Sequence, residues 1–199
     1  VDSPEDDELA QKVADHAITL VKDEKDLFPM RNAETAVLVV LTEGRSVQQG
    51  RRLIDEVHQR SPKMQIILAD TGMSKADLEQ AAQSISGASS IVIAAFVSVA
   101  SYKGSVGLCG EYPHCVNGLI AVPAPVTLAA LGSPYLVRTF PGAKAYITTC
   151  SSTPTAETSL ARALFGEIPI TGHLPVTIPG VAKYGDGIQM PASNPMKGL

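Results

Sequence analysis

The sequence predicts an α/β domain: a doubly wound, mainly parallel sheet with helices on both faces, a flavodoxin-like three-layer sandwich closed by a C-terminal edge strand or strap. Three observations carry this reading. Five short apolar runs rich in β-branched residues recur along the chain, as strands covered on both faces require. Helix signals separate them, and parallel neighbours need such crossover connections. The last run, TGHLPVTIPG at 171–180, carries Pro175 and Pro179, which lack ladder donors and are excluded from a central strand.

The elements follow in order. Leu9, Val13, His16 or Ala17, and Leu20 recur at helical spacing, so a first helix with that buried stripe is expected to end before LFPMRN, where Pro29 forbids continuation. AVLVVL (36–41) is the first predicted strand. Ser46 with Gln49 three residues on predicts a capped helix burying Val47, Gly50, Leu53, Ile54 and Val57. MQIILA (64–69) is the second strand, and Ser74 with Asp77 at the capping-box position opens a helix burying Leu78, Ala81, Ala82 and Ile85. SIVIAAFV (90–97) leads into a Gly- and Ser-rich loop, Ser98 to Gly110, then a short helix ending near Ile120. PVTLAAL (125–131) precedes Ser133-Pro134, and AKAYITT (143–149) precedes Thr153-Pro154; both pairs place a hydroxyl cap before a proline suited to the first helical position. The last helix carries Ala156, Leu160, Ala163 and Leu164 and stops at Gly166. In the closing stretch Leu174, Val176 and Ile178 alternate with the prolines, which predicts an edge strand or a strap laid over the last helix.

A chain of 199 residues with 45% hydrophobic content supports one well-buried core. The charge of -4, from 16 basic and 20 acidic residues, is mild and interspersed apart from an acidic cluster at Glu5 to Glu8, so neither a nucleic-acid nor a polybasic membrane surface is indicated. Apolar runs such as Ile91 to Val97 fall well short of the roughly 18 to 20 residues needed to cross a bilayer. Residues 1–10 lack an initiator Met and the basic-then-apolar order of a signal peptide, so processing or truncation is expected to have set this start. Cys109, Cys115 and Cys150 form no disulfide framework; Cys109 and Cys115 could pair, or join His114 at a metal, but CGEYPHC lacks a zinc spacing, so free thiols are expected, no metal or other cofactor is called for, and the compartment stays open.

In an open α/β sheet ligands bind beyond the carboxyl ends of the strands, which directs attention to TEGRS (42–46), DTGMS (70–74), 98–110, GSP (132–134) and TCSSTP (149–154). Glu43, Arg45, Asp70 and Lys103 are the ionisable candidates there, each also readable as a solvated loop or cap residue. No P-loop, dinucleotide fingerprint or G-x-S-x-G elbow is present. His16 and His58 read as packing or surface residues on helices, His173 as a backbone partner, and His114 as a structural residue despite its place beside Cys115. Glu43 and Asp70 stand on loops that a carboxylate pair of a glycosidase would suit, about 5 to 10 Å apart, a separation the sequence does not give.

The segments AQKVADHAITLVKDEKDLFPMR, AVLVVL, FVSVASYKGSVGL, AYITTCS and above all ARALFGEIPITGHLPVTIPG resemble the C-terminal α/β sandwich domain of glycoside hydrolase family 3, in its bacterial β-N-acetylhexosaminidase branch. The resemblance covers nearly the whole chain and implies residues 1–30 as a leading helix and linker from an N-terminal TIM barrel, and residues 31–199 as the sandwich. It implies that the barrel supplies the aspartate nucleophile and, on a mobile loop, a His-Asp acid/base pair. The β-glucosidase branch places its acid/base glutamate in the loop after the third strand. Here that loop, SVASYKGSVGLCG, has no Asp or Glu before Glu111, which suits the start of the next helix.

The resemblance therefore implies a domain without its own catalytic residues, part of a retaining exo-acting enzyme that removes terminal N-acetylglucosamine from glycans or cell-wall fragments. The barrel is its expected partner, and Ser98, Ser101, Tyr102 and Lys103 are its expected sugar contacts. Periodicity alone equally allows a stand-alone small-ligand module or an assembly domain.

Overall fold

The computed structural model describes residues 3–44, 48–85, 87–97 and 107–194. Six strands form one sheet: β1 (Thr19–Asp23), β2 (Val37–Leu41), β3 (Gln65–Ala69), β4 (Ile91–Val97), β5 (Val126–Gly132) and β6 (Ala145–Thr148), in the order β1-β6-β5-β4-β2-β3. All neighbours are parallel except β1, which runs antiparallel to β6. The five sequence-predicted strands are β2 to β6. β1 was not expected.

That extra strand corrects the first helix. α1 (Pro4–Ala17) is capped by Ser3 and stops before Ile18, so Leu20 belongs to β1 rather than to a helical stripe. No residue of α1 is buried; the Leu9 and Val13 side chains face outward. Ile18 and Leu20 instead join the apolar core on one face of the sheet, with the equally buried Thr19 between them.

Alternation also divides the core in two. Val39, Leu41, Ile93, Ala95, Leu128 and Tyr146 line one face, while Leu38, Val40, Val92, Ala94, Phe96 and Ile147 line the other. On the second face lie α2 (Arg51–Arg60), through Leu53 and Val57, and α5 (Pro154–Leu164), through Leu160, Ala161 and Leu164. Arg60 ties their far ends together with a forked pair to Glu167, at 2.8 and 2.7 Å, and a 2.6 Å bond to Glu56. The first face is covered by α3 (Lys75–Gln83), whose Ser74/Asp77 capping box forms as expected, and by α4 (Tyr112–Ile120).

Ser133-Pro134 does open a helical turn, but only a short 3-10 helix, Pro134–Arg138, which adds Leu136 and Val137 to the first face, with Phe140 just beyond it. The closing stretch makes up the difference. It crosses the rim of the sheet at Gly172, whose N–H bonds the Ile18 carbonyl at 3.0 Å, and then lays Leu174 and Ile178 against the first face with Phe140 and Tyr146. The chain turns back between Ile178 and Ala182, and Ile188 N–H meets the Leu20 carbonyl at 2.7 Å. The strap therefore covers the face opposite α5, not α5 itself, because that is the face short of a helix. Its prolines, Pro175 and Pro179, are exposed where the path owes nothing to a ladder.

The crossing is tight enough to require glycine. A Cβ on Gly172 would stand 2.3 Å from the Ile18 carbonyl oxygen, and one on Gly187 would stand 2.4 Å from the Gly172 carbonyl oxygen. Gly172→Ala is expected to cost about 1–3 kcal/mol, a fall of roughly 2–12 °C in Tm. The helical Gly118, whose Cβ would meet nothing within 4 Å, offers the contrast: Gly118→Ala should raise Tm by about 2–4 °C. Thermal melts of the two variants check both signs.

Candidate functional site

The strand order reverses direction between β2 and β4, since β3 lies outward of β2 while β5 and β6 lie outward of β4. The carboxyl ends of β2 and β4 therefore flank the crevice where an α/β sheet takes its ligands. The described parts of that end include the residues flanking β2 and α2, the turn after β3, the start of α4 and the turn after β6.

The β2–α2 loop does not follow the sequence expectation. α2 begins at Arg51 with Gly50 as its N-cap, in a left-handed conformation at φ 80°, so Gly50 is not on the helical stripe. A Cβ there would stand 2.5 Å from Val40 Cγ1, which explains why the loop closes on glycine. Ser46 and Val47 lie outside the described residues. The cap comes from elsewhere in the chain. Glu157, in the first turn of α5 and 2% exposed, accepts from Gly50 N–H at 3.2 Å and Leu53 N–H at 2.9 Å. Its carboxyl fills the positive end of α2, the place where a sheet of this type offers N–H groups to an anion. Burial holds that carboxyl above the ordinary range, although the Leu53 and Gly50 N–H groups and Arg52 pull the other way.

A second internal group closes the end of β2 and β3. Tyr112 is buried at the start of α4, and its hydroxyl donates to the Thr42 and Ala69 carbonyls, at 3.0 and 2.9 Å. Burial, with Asp70 adding to it, pushes this phenol well above its usual value, so it remains a donor. Asp70 itself accepts from Gly72 N–H at 2.7 Å, a local turn. Glu43 is half-buried and its N–H donates to Gln49 Oε1 at 3.1 Å. Glu111 is exposed at the N-cap position of α4 and makes no side-chain cap bond.

The turn after β6 is rich in hydroxyls. Cys150 adopts φ 52° there, its N–H bonded to Thr148 Oγ1 at 3.2 Å, and Ser151, Thr153 and Thr155 hydroxyls follow at 3.2 and 3.0 Å spacings. Burial raises the Cys150 and Cys115 thiols, so neither is an activated nucleophile.

Among the histidines, His16, His58 and His114 are exposed, and His173 Nδ1 lies 2.8 Å from the Gly185 carbonyl oxygen, the backbone contact expected of it. Between α3 and α4 a groove of about 70 Å³, lined by Leu78, Ala82, His114 and Cys115, is below the roughly 300 Å³ of small-molecule sites. A wider cleft of about 670 Å³ opens at the amino end of β2, by Asn32, Thr35 and Phe165, away from the strand ends that take ligands.

Ser98, Ser101, Tyr102 and Lys103, the expected sugar contacts, and Arg45 lie outside the described residues. Glu157 and Tyr112 were not singled out from the sequence. Glu157 does sit one residue after Ala156 on the buried stripe of its helix, which marks a carboxylate in an apolar setting, but nothing in the sequence couples it to Gly50.

No protein-family model and no curated protein sequence matches the chain. Solved structures do share its fold. A glycoside hydrolase family 3 β-N-acetylglucosaminidase from Paenibacillus sp. str. FPU-7 is similar over 88% of this chain and 33% of its own, at 18% identity and a TM-score of 0.65. A fungal multi-domain GH3 β-N-acetylglucosaminidase is similar over 92% of this chain and 20% of its own, at 22% identity and a TM-score of 0.72. A β-glucosidase from Listeria innocua, solved with glucose, is similar over 89% and 27%, at 14% identity and a TM-score of 0.71. The chain thus spans a third or less of the length of these three and has the α/β fold found within family 3 enzymes.

Glu157→Ala strips the partner from two buried N–H groups and is expected to cost about 2–4 kcal/mol, or roughly 4–16 °C in Tm. A pH series separates charge from packing. The folded chain holds the Glu157 proton more tightly than the unfolded one, so this group's contribution is fullest below the ordinary carboxylate value of about 4.3 and is lost as pH rises through the raised folded value. Melts of wild type and Glu157→Gln between about pH 4 and about pH 8 should therefore show the difference moving in favour of the glutamine variant. A difference that does not change with pH would mean that the carboxyl titrates normally.

Proposed function

We propose that this chain is the C-terminal, non-catalytic domain of a retaining exo-β-N-acetylhexosaminidase, with residues 1–30 leading from a TIM barrel and residues 31–199 forming the sandwich. The observation that carries the reading is the domain-sized likeness to family 3 enzymes, two of them β-N-acetylglucosaminidases, each several times the length of the matched part. The quoted sequence resemblance points to the same branch, and the absence of Asp and Glu from 98–110 supports it over the β-glucosidase branch. Neighbours of this fold also include β-glucosidases and a xylosidase, so the fold itself does not choose the sugar.

In this reading the barrel aspartate attacks the anomeric carbon, a second barrel group protonates the leaving oxygen, and water then releases the sugar from the covalent intermediate. The present domain stabilises the barrel and brings Ser98, Ser101, Tyr102 and Lys103 to the sugar. Two of its carboxylates near the strand ends are committed elsewhere: Glu157 to the end of α2, Asp70 to its turn.

The 199-residue chain alone is expected to release nothing from a chromogenic N-acetylglucosaminide, whereas the complete polypeptide hydrolyses it. Removing 98–110 from the complete polypeptide should raise KM by about 10- to 100-fold, as loss of one or two polar sugar contacts would. Unchanged kinetics would reduce the domain to a scaffold, and saturable sugar binding by the 199-residue chain alone would favour a stand-alone binding module.

A further inference from the structure

Helix α1 is amphipathic in the reverse sense. Its polar side faces its own domain: Gln11 Nε2 donates to the Thr155 carbonyl at 3.1 Å and to Ser159 Oγ at 2.8 Å, and Asp15 pairs with Arg162 at 2.8 Å. Leu9 and Val13, one turn apart, stand on the other side at the helix's 3.6 residues per turn, and each is 62% exposed. A helix held only by its own domain would turn that apolar pair inward. Glu5 and Asp6 flank the pair, and Lys12 is engaged by Glu8 at 2.6 Å, which leaves an acidic rim.

We propose that this outward face of α1 docks on a second domain of the same polypeptide, which offers an apolar socket for Leu9 and Val13 with Lys or Arg at its edge. The inference rests on the reading of this chain as one domain of a larger hydrolase. Two features favour that occupant. The acidic rim is complementary to a basic edge on a partner surface, and the two solved β-N-acetylglucosaminidase chains of this fold hold two thirds or more of their length outside the matched part. α1 then acts as a two-sided spacer, polar towards α5 and apolar towards its neighbour.

Amide exchange over residues 4–17, compared between the 199-residue chain and the complete polypeptide, tests this. Exchange is expected to slow by about tenfold or more in the complete polypeptide. The double variant Leu9→Asp, Val13→Asp should restore fast exchange there while leaving the Tm of the 199-residue chain unchanged. Equal exchange in a complete polypeptide that carries a further domain overturns the docking face and leaves the domain reading intact. A complete polypeptide with no further domain overturns both. A fall in Tm of the 199-residue chain would place Leu9 and Val13 in its own packing, and concentration-dependent slowing in that chain alone would assign the face to self-association; each overturns the proposal.

Discussion

A mainly parallel sheet must be covered on both faces, and the helices among the described residues leave one face short of cover. The helices α2 and α5 cover one face, while α3 and α4 leave part of the other open above β1 and β6, where the last crossover supplies only a 3-10 turn. The closing stretch fills that gap by going round the rim of the sheet at Gly172 and setting Leu174 and Ile178 on Tyr146 and Phe140. The position of the strap and the prolines at its bends follow from that need. The two-proline stretch at the end of this domain is a strap, not a strand, and it covers the face short of a helix.

The same economy shapes the carboxyl end of the strands, where sheets of this type take ligands. The positive end of α2 is occupied by the chain's own Glu157, and the carbonyls at the ends of β2 and β3 are occupied by Tyr112. Both groups are buried and engaged, so at these two places the described residues are braced from within. Such bracing fits the proposed role of a domain that holds its loops against a neighbouring barrel.

Much of the fold was legible because it rests on local rules. The runs at 36–41, 64–69, 90–97, 125–131 and 143–149 all became strands, and the hydroxyl caps at Ser74, Ser133 and Thr153 all formed. What was not legible depends on distant partners. Leu20 continued a helical spacing until β6 recruited it as a strand, and Leu9 and Val13 read as a core stripe although Gln11 and Asp15 make the contact with α5. The start of α2 was misplaced because its cap is Glu157, more than a hundred residues away, and a capping rule sees only neighbours. For the site, the loops at the strand ends were located, but Glu157 and Tyr112 acquire their roles only through long-range packing.

The central claim is that this chain braces a reaction performed by residues it does not carry. Its most direct test is the mass of the native polypeptide in its source cells, with sequencing of the peptides upstream of Val1. A domain of this kind requires a species far larger than 20.9 kDa, bearing a barrel with an aspartate nucleophile and a His-Asp loop. A native species of about 20.9 kDa would contradict it and would leave a stand-alone binding domain in its place.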